Sequence, residues 1–399
     1  MRRYLLGLVF LGLFGHSLVA AEPIRFFYQE GEQYRVLSTV EQDVWVNGAY
    51  SHSATILNRI SIEVTDVENG RGYHVATFVT SEEASSATQV FSWGEEYDSE
   101  FWRDEQGYYE IDPQYFMPVV RDVPVFPEEP VEPGDRWSAP GSEVHDFRRS
   151  FGIPDAYYFP IPVTYLYERN VEQEGREYAL IRVSYNVFYR PDRFYSNAIY
   201  PTRISGYSEQ LVYWDIAAGR PQAYEEEYAF VFVLSTGDEV VYEGTAEARV
   251  IEASRMDREQ IVGEIREDLD ELGFQDQEVV ADDRGVTIRL DNILFPPDSP
   301  LLRESEKRKL DGIAEILRNY PERDILITGH TALAGTEQGR LLLSQQRAGA
   351  VADYLLELGV RERDQMIQRG IGAQQPVADN STEAGMRKNR RVEITILEN

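Results

Sequence analysis

No cysteine occurs among the 399 residues. That absence removes disulfides, thiolate metal ligands and a thiol nucleophile together, so packing and hydrogen bonds alone must hold the chain. Lysine is almost missing as well, found only at Lys307, Lys309 and Lys388, and arginine carries the remaining positive charge. Histidine is sparse. After the first 21 residues there are His52, His74, His145 and His330, with no metal-ligand spacing between them. No GxSxG, HExxH or P-loop string is present. The pairs Asp268/Asp270 and Asp282/Asp283 lack the glycine and terminal Glu of a calcium loop. No apolar run is long enough for a spanning helix. These absences leave no catalytic residue, metal or cofactor to assign, and they point to a non-enzymatic protein.

What is present begins with an address. Arg2 and Arg3 precede an apolar run from Tyr4 to Phe14, and Val19-Ala20-Ala21 closes it before Glu22, which reads as a secretory signal peptide over residues 1–21. An uncleaved anchor is the other reading. With no cysteine after the run, lipid attachment there is not expected. Charge is divided unevenly. Residues 283–399 hold 18 acids and 17 bases; of the 69 acids and 39 bases in the chain, 51 and 22 therefore fall in residues 1–282, a net of −29. A front half that acidic repels nucleic acid and anionic headgroups.

From Glu22 to about Val250 the sequence holds all five Trp and most of the Tyr. Period-two alternation recurs, as in Ile56, Asn58, Ile60, Ile62, Val64 and in Ala179, Ile181, Val183, Tyr185, Val187, Tyr189, which predicts long half-buried antiparallel strands over 22–254. Asn69-Gly70, Glu174-Gly175, Gly219 and Gly237 sit in turn signals between strand-like runs. A proline-dense segment, 118–140, cannot be a central strand. Two small β domains divided there, or one large sheet crossed by a long irregular connection, fit equally. Glu132 to Trp137 is similar to segments of periplasmic half-barrel carriers, which leaves a carrier of a hydrophobic ligand as an alternative. A membrane β-barrel is a further one, opposed by acids on both strand faces at Glu225-Glu226-Glu227.

From Arg255 the period becomes helical: Ile261, Ile265, Leu269 and Leu272 share a face and Gly273 stops it, giving a connecting helix and hairpin strand over 255–282. Alternating elements follow in 283–399. They are a strand at 286–290, a helix ended by Pro321, a strand at 324–328, a helix from Thr336 to Leu358, and strands at 366–371 and 391–396. The expected class is α+β, an N-terminal antiparallel all-β region followed by a βαβαββ two-layer domain.

Within that domain stand Gly329-His330-Thr331-Ala332-Leu333-Ala334-Gly335, then Leu343-Ser344-Gln345-Gln346-Arg347-Ala348, then Asn389-Arg390-Arg391-Val392-Glu393. The patterns GHTxxxG, LSxxRA and NRRVE, in this order and register, resemble the OmpA-like C-terminal domain of peptidoglycan-binding type. Asp298 and Ser299 match the acid and serine usual after its opening strand. The resemblance implies a stem diamino acid gripped at both ends, its amine by an Asp after GHT and its carboxylate by the Arg of LSxxRA. This chain keeps Arg347 and carries Ala332 in place of the Asp. The family's Asn three positions before the Leu-Ser pair is Arg340, and the late Gly-Arg is Gly385-Met386 with Arg387 next. Removing one partner of a desolvated charge pair costs about 2–5 kcal/mol, roughly 30- to 3,000-fold in affinity.

The binding residues implied are Arg347, Thr331, Ala332, Arg340 and Glu337, the last as a substitute anion. Gly329, His330, Gly335, Ser344, Asn389 and Arg391 would support the loop. Peptidoglycan is the implied partner, with usual diaminopimelate binding weakened or lost. A different stem such as one with ornithine, or envelope proteins, are the alternatives, and the place is the periplasm, by the outer membrane.

Overall fold

The computed structural model describes residues 23–83, 91–154, 156–173, 175–192, 194–195, 199–252, 256–274, 277–282, 284–291, 295 and 299–398. The expected signal peptide lies outside them, as do Asp283, Ile293, Leu294 and Asp298.

The alternation read from the sequence becomes twelve antiparallel strands. They are β1 (Gln33–Val46), β2 (Ala49–Glu68), β3 (Arg71–Glu83), β4 (Phe91–Arg103), β5 (Tyr109–Ile111), β6 (Val120–Arg121), β7 (Arg136–His145), β8 (Tyr157–Gln173), β9 (Arg176–Tyr189), β10 (Pro201–Asp215), β11 (Arg220–Leu234) and β12 (Glu239–Glu252). Pairing runs β5-β4-β3-β2-β1-β12-β11-β10-β9-β8-β7-β6, one continuous sheet. The proline-dense segment is therefore a connection between strands of one sheet. Pro140 does enter β7, where β6 reaches only Ser142 and Glu143, so proline sits where no second neighbour needs its missing N–H. The hairpins turn where Asn-Gly pairs allow both residues positive φ, Asn69 at 53° and Gly70 at 78°.

Alternate residues of β8 and β9, from Tyr157 to Tyr167 and from Ala179 to Val187, bury one face against Ile24, Phe26, Phe126, Phe147, Ile153 and Trp214. Phe26 meets Trp214 edge-on at 4.6 Å, and Trp137 stacks on Tyr165 at 5.2 Å. That face is filled by rings from the chain itself. The end strands β5 and β6 are consecutive in sequence yet unpaired with each other. A lipid-spanning barrel needs closure, because hydrocarbon offers open backbone groups no partner. Among the described residues no helix is long and apolar enough to cross a membrane.

A one-turn helix, α1 (Arg148–Phe151), is the only helix among the described residues of the β region. The C-terminal part contains α2 (Arg258–Glu271), β13 (Glu278–Asp282), β14 (Gly285–Asp291), α3 (Glu304–Leu317), β15 (Ile325–Gly329), α4 (Glu337–Glu357), β16 (Met366–Gly370), α5 (Glu383–Asn389) and β17 (Arg391–Leu397). The sheet order is β16-β15-β17-β14-β13, with β15 and β16 parallel. The short α5 was absent from the sequence reading. Ile265 and Leu269 of α2 join Leu310, Ile313, Val351, Leu355 and Ile394 in one core, so the connecting helix packs with this domain.

The opposite face of that sheet is not bare. Leu326, Ile367 and Leu397 receive Trp93 of β4, and β4 extends the sheet by pairing in parallel with β16 at Ile367↔Phe91 and Gln368↔Ser92. Beside this joint Arg35, Arg59 and Arg249 line up on neighbouring strands, since Leu37 pairs with both Arg59 and Arg249. They face Glu322, Asp324, Glu362 and Asp364 across a cleft of about 270 Å³. Arg59, 8% exposed, puts Nε 2.8 Å from Asp324 Oδ2 and donates from Nη2 to the Asp364 carbonyl. Arg363 pairs with Glu83 nearby.

Candidate functional site

The parallel strands β15 and β16 end in glycines because α4 lies on them. A Cβ on Gly329 would stand 2.0 Å from the Ser344 carbonyl oxygen, and one on Gly370 would stand 2.3 Å from the Gln345 nitrogen. Any side chain at either place would push the helix off the sheet. The loop leaving β15 is pinned residue by residue. His330 N–H donates to the Arg391 carbonyl at 3.0 Å, Thr331 N–H to the Gly372 carbonyl at 2.8 Å and Leu333 N–H to Asn380 Oδ1 at 3.0 Å. Gly335 takes φ 76°, and Thr336 caps α4 by accepting from Gly339 N–H at 3.1 Å. Arg340 Nη1 donates to the Gly335 carbonyl at 2.6 Å, closing the loop onto the helix.

A second tier holds the first. Asn389 Oδ1 accepts from the N–H groups of Val377 and Ala378 at 2.8 and 3.0 Å, and its Nδ2 donates to the Ala378 carbonyl and Asn380 Oδ1. Asn380 in turn carries Leu333. Ser344 Oγ donates to the Leu341 carbonyl and accepts from Gly372 N–H at 2.9 Å. Glu393 lies between Arg391 Nε at 2.8 Å and Arg289 Nε at 3.2 Å, with His330 Nε2 at 3.3 Å from its other oxygen. That last separation is an ion-pair distance without hydrogen-bond alignment, and both ring nitrogens of His330 are buried without a hydrogen bond. Burial alone would raise the Glu393 carboxyl, but His330 and the Arg391 guanidinium more than offset it and hold it at about 2. Burial also pushes the His330 ring below its ordinary value, Glu393 opposing.

Arg347 stands one turn beyond Ser344 on α4 and is 8% exposed. Its Nε donates to the Ser299 carbonyl at 3.3 Å and its guanidinium lies 5.0 Å from the centre of the Phe295 ring. It therefore addresses Ser299 and Phe295. Ala332 buries its methyl, and Thr331 Oγ1 is buried without a partner. Glu337 is exposed at the first position of α4. Ten residues of helical rise separate it from Arg347, about 15 Å along α4. Asn380 and Gly372 were missed, and only the contacts of their loop reveal them.

The site is thus a parallel strand pair ending in glycines under a capped helix, with a loop locked by Asn389 and a buried arginine on the helix. Residues 294–390 match the OmpA family model, and the C-terminal part of this chain is an OmpA-like domain. Over 105 residues the chain is 37% identical to the probable lipoprotein YiaD of Escherichia coli (strain K12), covering 26% of this chain and 48% of that protein. Over 104 residues it is 38% identical to the peptidoglycan-binding protein ArfA of Mycobacterium bovis, covering 26% and 32%. The chain thus spans half or less of these relatives. Among solved structures it is similar to the cell wall anchor of the T6SS from Pseudomonas aeruginosa, 31% identical over 33% of this chain and 95% of that one, with a TM-score of 0.28.

Proposed function

We propose that this is an exported, non-enzymatic protein of the cell envelope that attaches at the peptidoglycan layer through its OmpA-like domain, with half of the usual grip. The carrying observation is Arg347, buried and fixed by Ser299 and Phe295 on the helix that closes the loop. A fixed guanidinium meets a carboxylate with two hydrogen bonds. Ala332 offers nothing to an amine. The reading is therefore wall attachment with diaminopimelate binding weakened. An ornithine stem fits less well, since its terminal ammonium would face a guanidinium with no acid among the described residues of the 329–335 loop to neutralise it. The ring-filled face of the β region argues against a carrier of a hydrophobic ligand, and envelope proteins remain the natural partners of that region.

The test is cosedimentation of residues 22–399 with purified sacculi, for wild type, Arg347→Ala and Ala332→Asp, with circular dichroism to verify folding. Weak wild-type retention, lost in Arg347→Ala and gained in Ala332→Asp by about tenfold or more, is expected. Tight retention indifferent to Arg347→Ala overturns the site.

A further inference from the structure

The proline-dense connection builds something the wall module does not use. It runs from β5 to β7 and brings the two ends of the twelve-strand sheet face to face without joining them. Tyr109 N–H, on the outer edge of β5, finds no strand; it donates to Asp122 Oδ1 at 2.8 Å. The Asp104 N–H bonded to the Tyr108 carbonyl fixes the pairing parity, so the backbone groups of Ile111 also point away from β4 into the gap. In the gap is a cavity of about 480 Å³, walled by Ile111, Pro113, Val144 and Ala156, with Tyr109 and Tyr158 beside them.

Its polar groups are few and incompletely used. Arg121 is 5% exposed; Nε donates to the Pro118 carbonyl at 3.2 Å and Nη2 to the Tyr115 carbonyl at 2.6 Å, which leaves Nη1. Asp122, at φ 59°, spends one oxygen on Tyr109 and keeps the other. Ser142 is 3% exposed and its Oγ has no hydrogen-bond partner. Burial raises the Asp122 carboxyl, with the Tyr109 N–H and the Arg103 and Arg121 guanidiniums opposing. A desolvated carboxylate of that kind is stabilised by an incoming cation.

We propose that this seam is a binding site for a short zwitterionic peptide, its carboxylate on Arg121, its ammonium on Asp122 and its backbone on the open edge of β5. At roughly 30 Å³ per water-sized unit the cavity holds about 16 such units, the size of a tripeptide and well within the range of small-ligand pockets. An acyl chain would cover Arg121 Nη1, the second Asp122 oxygen and Ser142 Oγ without giving any of them a partner, which is costly. A strand of ordinary length does not fit between edges of three and two residues.

The test is calorimetric titration of residues 22–399 with trialanine, N-acetyl-trialanine, trialanine amide, N-acetylglucosamine and decanoate. Trialanine is expected to bind, and capping either end to weaken it by about tenfold. Asp122→Asn keeps the acceptor for Tyr109 and removes the charge, so it should erase the preference for the free amine alone. Ala156→Phe fills the cavity from its wall and should abolish binding without touching the polar groups. Absent trialanine binding at millimolar concentration, binding that survives Ala156→Phe, or preference for the sugar or the fatty acid overturns the proposal.

Discussion

Arg59 is the residue whose removal tests most about how the two halves of the chain are held. It is 8% exposed and Asp324 is 7% exposed, and the pair closes at 2.8 Å with the Asp364 carbonyl and Ser81 as further acceptors. Losing one partner of a buried pair leaves an unmatched charge and costs about 3–5 kcal/mol, whereas replacing both by apolar residues of similar volume is often close to neutral. Asp324→Ala and Arg59→Met should therefore each lower stability by about 3 kcal/mol or more, while the double variant Arg59→Met/Asp324→Leu should lose much less. The assay is a double-mutant cycle on the first urea transition of residues 22–399, with amide exchange at Ile367 and Gln368 as the local readout. Those amides lie where β4 joins β16, so exchange there should quicken in both single variants. A coupling energy under about 0.5 kcal/mol, or unchanged exchange at both amides, would refute the claim that this pair holds the halves together.

Two further outcomes follow from the loop. The folded Glu393 carboxyl titrates at about 2 against an ordinary 4.5, so its stabilisation is complete above about pH 4.5 and is lost as pH falls toward 2. His330, lowered by burial, loses stability in the same direction as pH falls below 6.5, because the unfolded ring takes its proton first. Glu393→Gln should flatten the acid limb of the urea midpoint against pH by on the order of 2 kcal/mol, and an unchanged limb contradicts the assignment. Gly329→Ala should destabilise by about 2 kcal/mol or more, since its Cβ meets helix backbone that cannot swing aside; a denaturation midpoint equal to wild type would show that α4 yields freely.

Most of the fold was legible because its elements announce themselves locally. Val183 and Tyr185 alternate as a strand must, Thr336 caps, and Gly273 at φ 78° stops a helix. The unity of the β sheet was not legible, since pairing of β1 with β12 joins residues about two hundred positions apart and no local pattern encodes it. Nor was α5, seven residues carried by the Thr382 cap and the Asn389 clamp more than by an apolar face. The motif glycines and Asn389 stood out, but Arg347's partners did not, because Phe295 and Ser299 are distant in sequence and follow no period.

The joint between β4 and β16 also decides how this protein behaves among its own copies. A sheet of seventeen strands is a hazard if any long rim lies open, because a bare rim recruits the next molecule. Here one rim of the C-terminal sheet meets β4 of the same chain, and the other, β13, is five residues bearing Glu278 and Asp282. Of the remaining rims among the described residues, β5 and β6 are too short to template a partner strand, the part of β7 beyond β6 carries Pro140, and the part of β4 between its pairings with β16 and β5 carries Glu95, Glu96, Asp98 and Glu100, whose charges oppose a second copy. So strand-rich a molecule can be concentrated in a crowded compartment without seeding a fibre, because its own fold already occupies or blunts the places where growth would start.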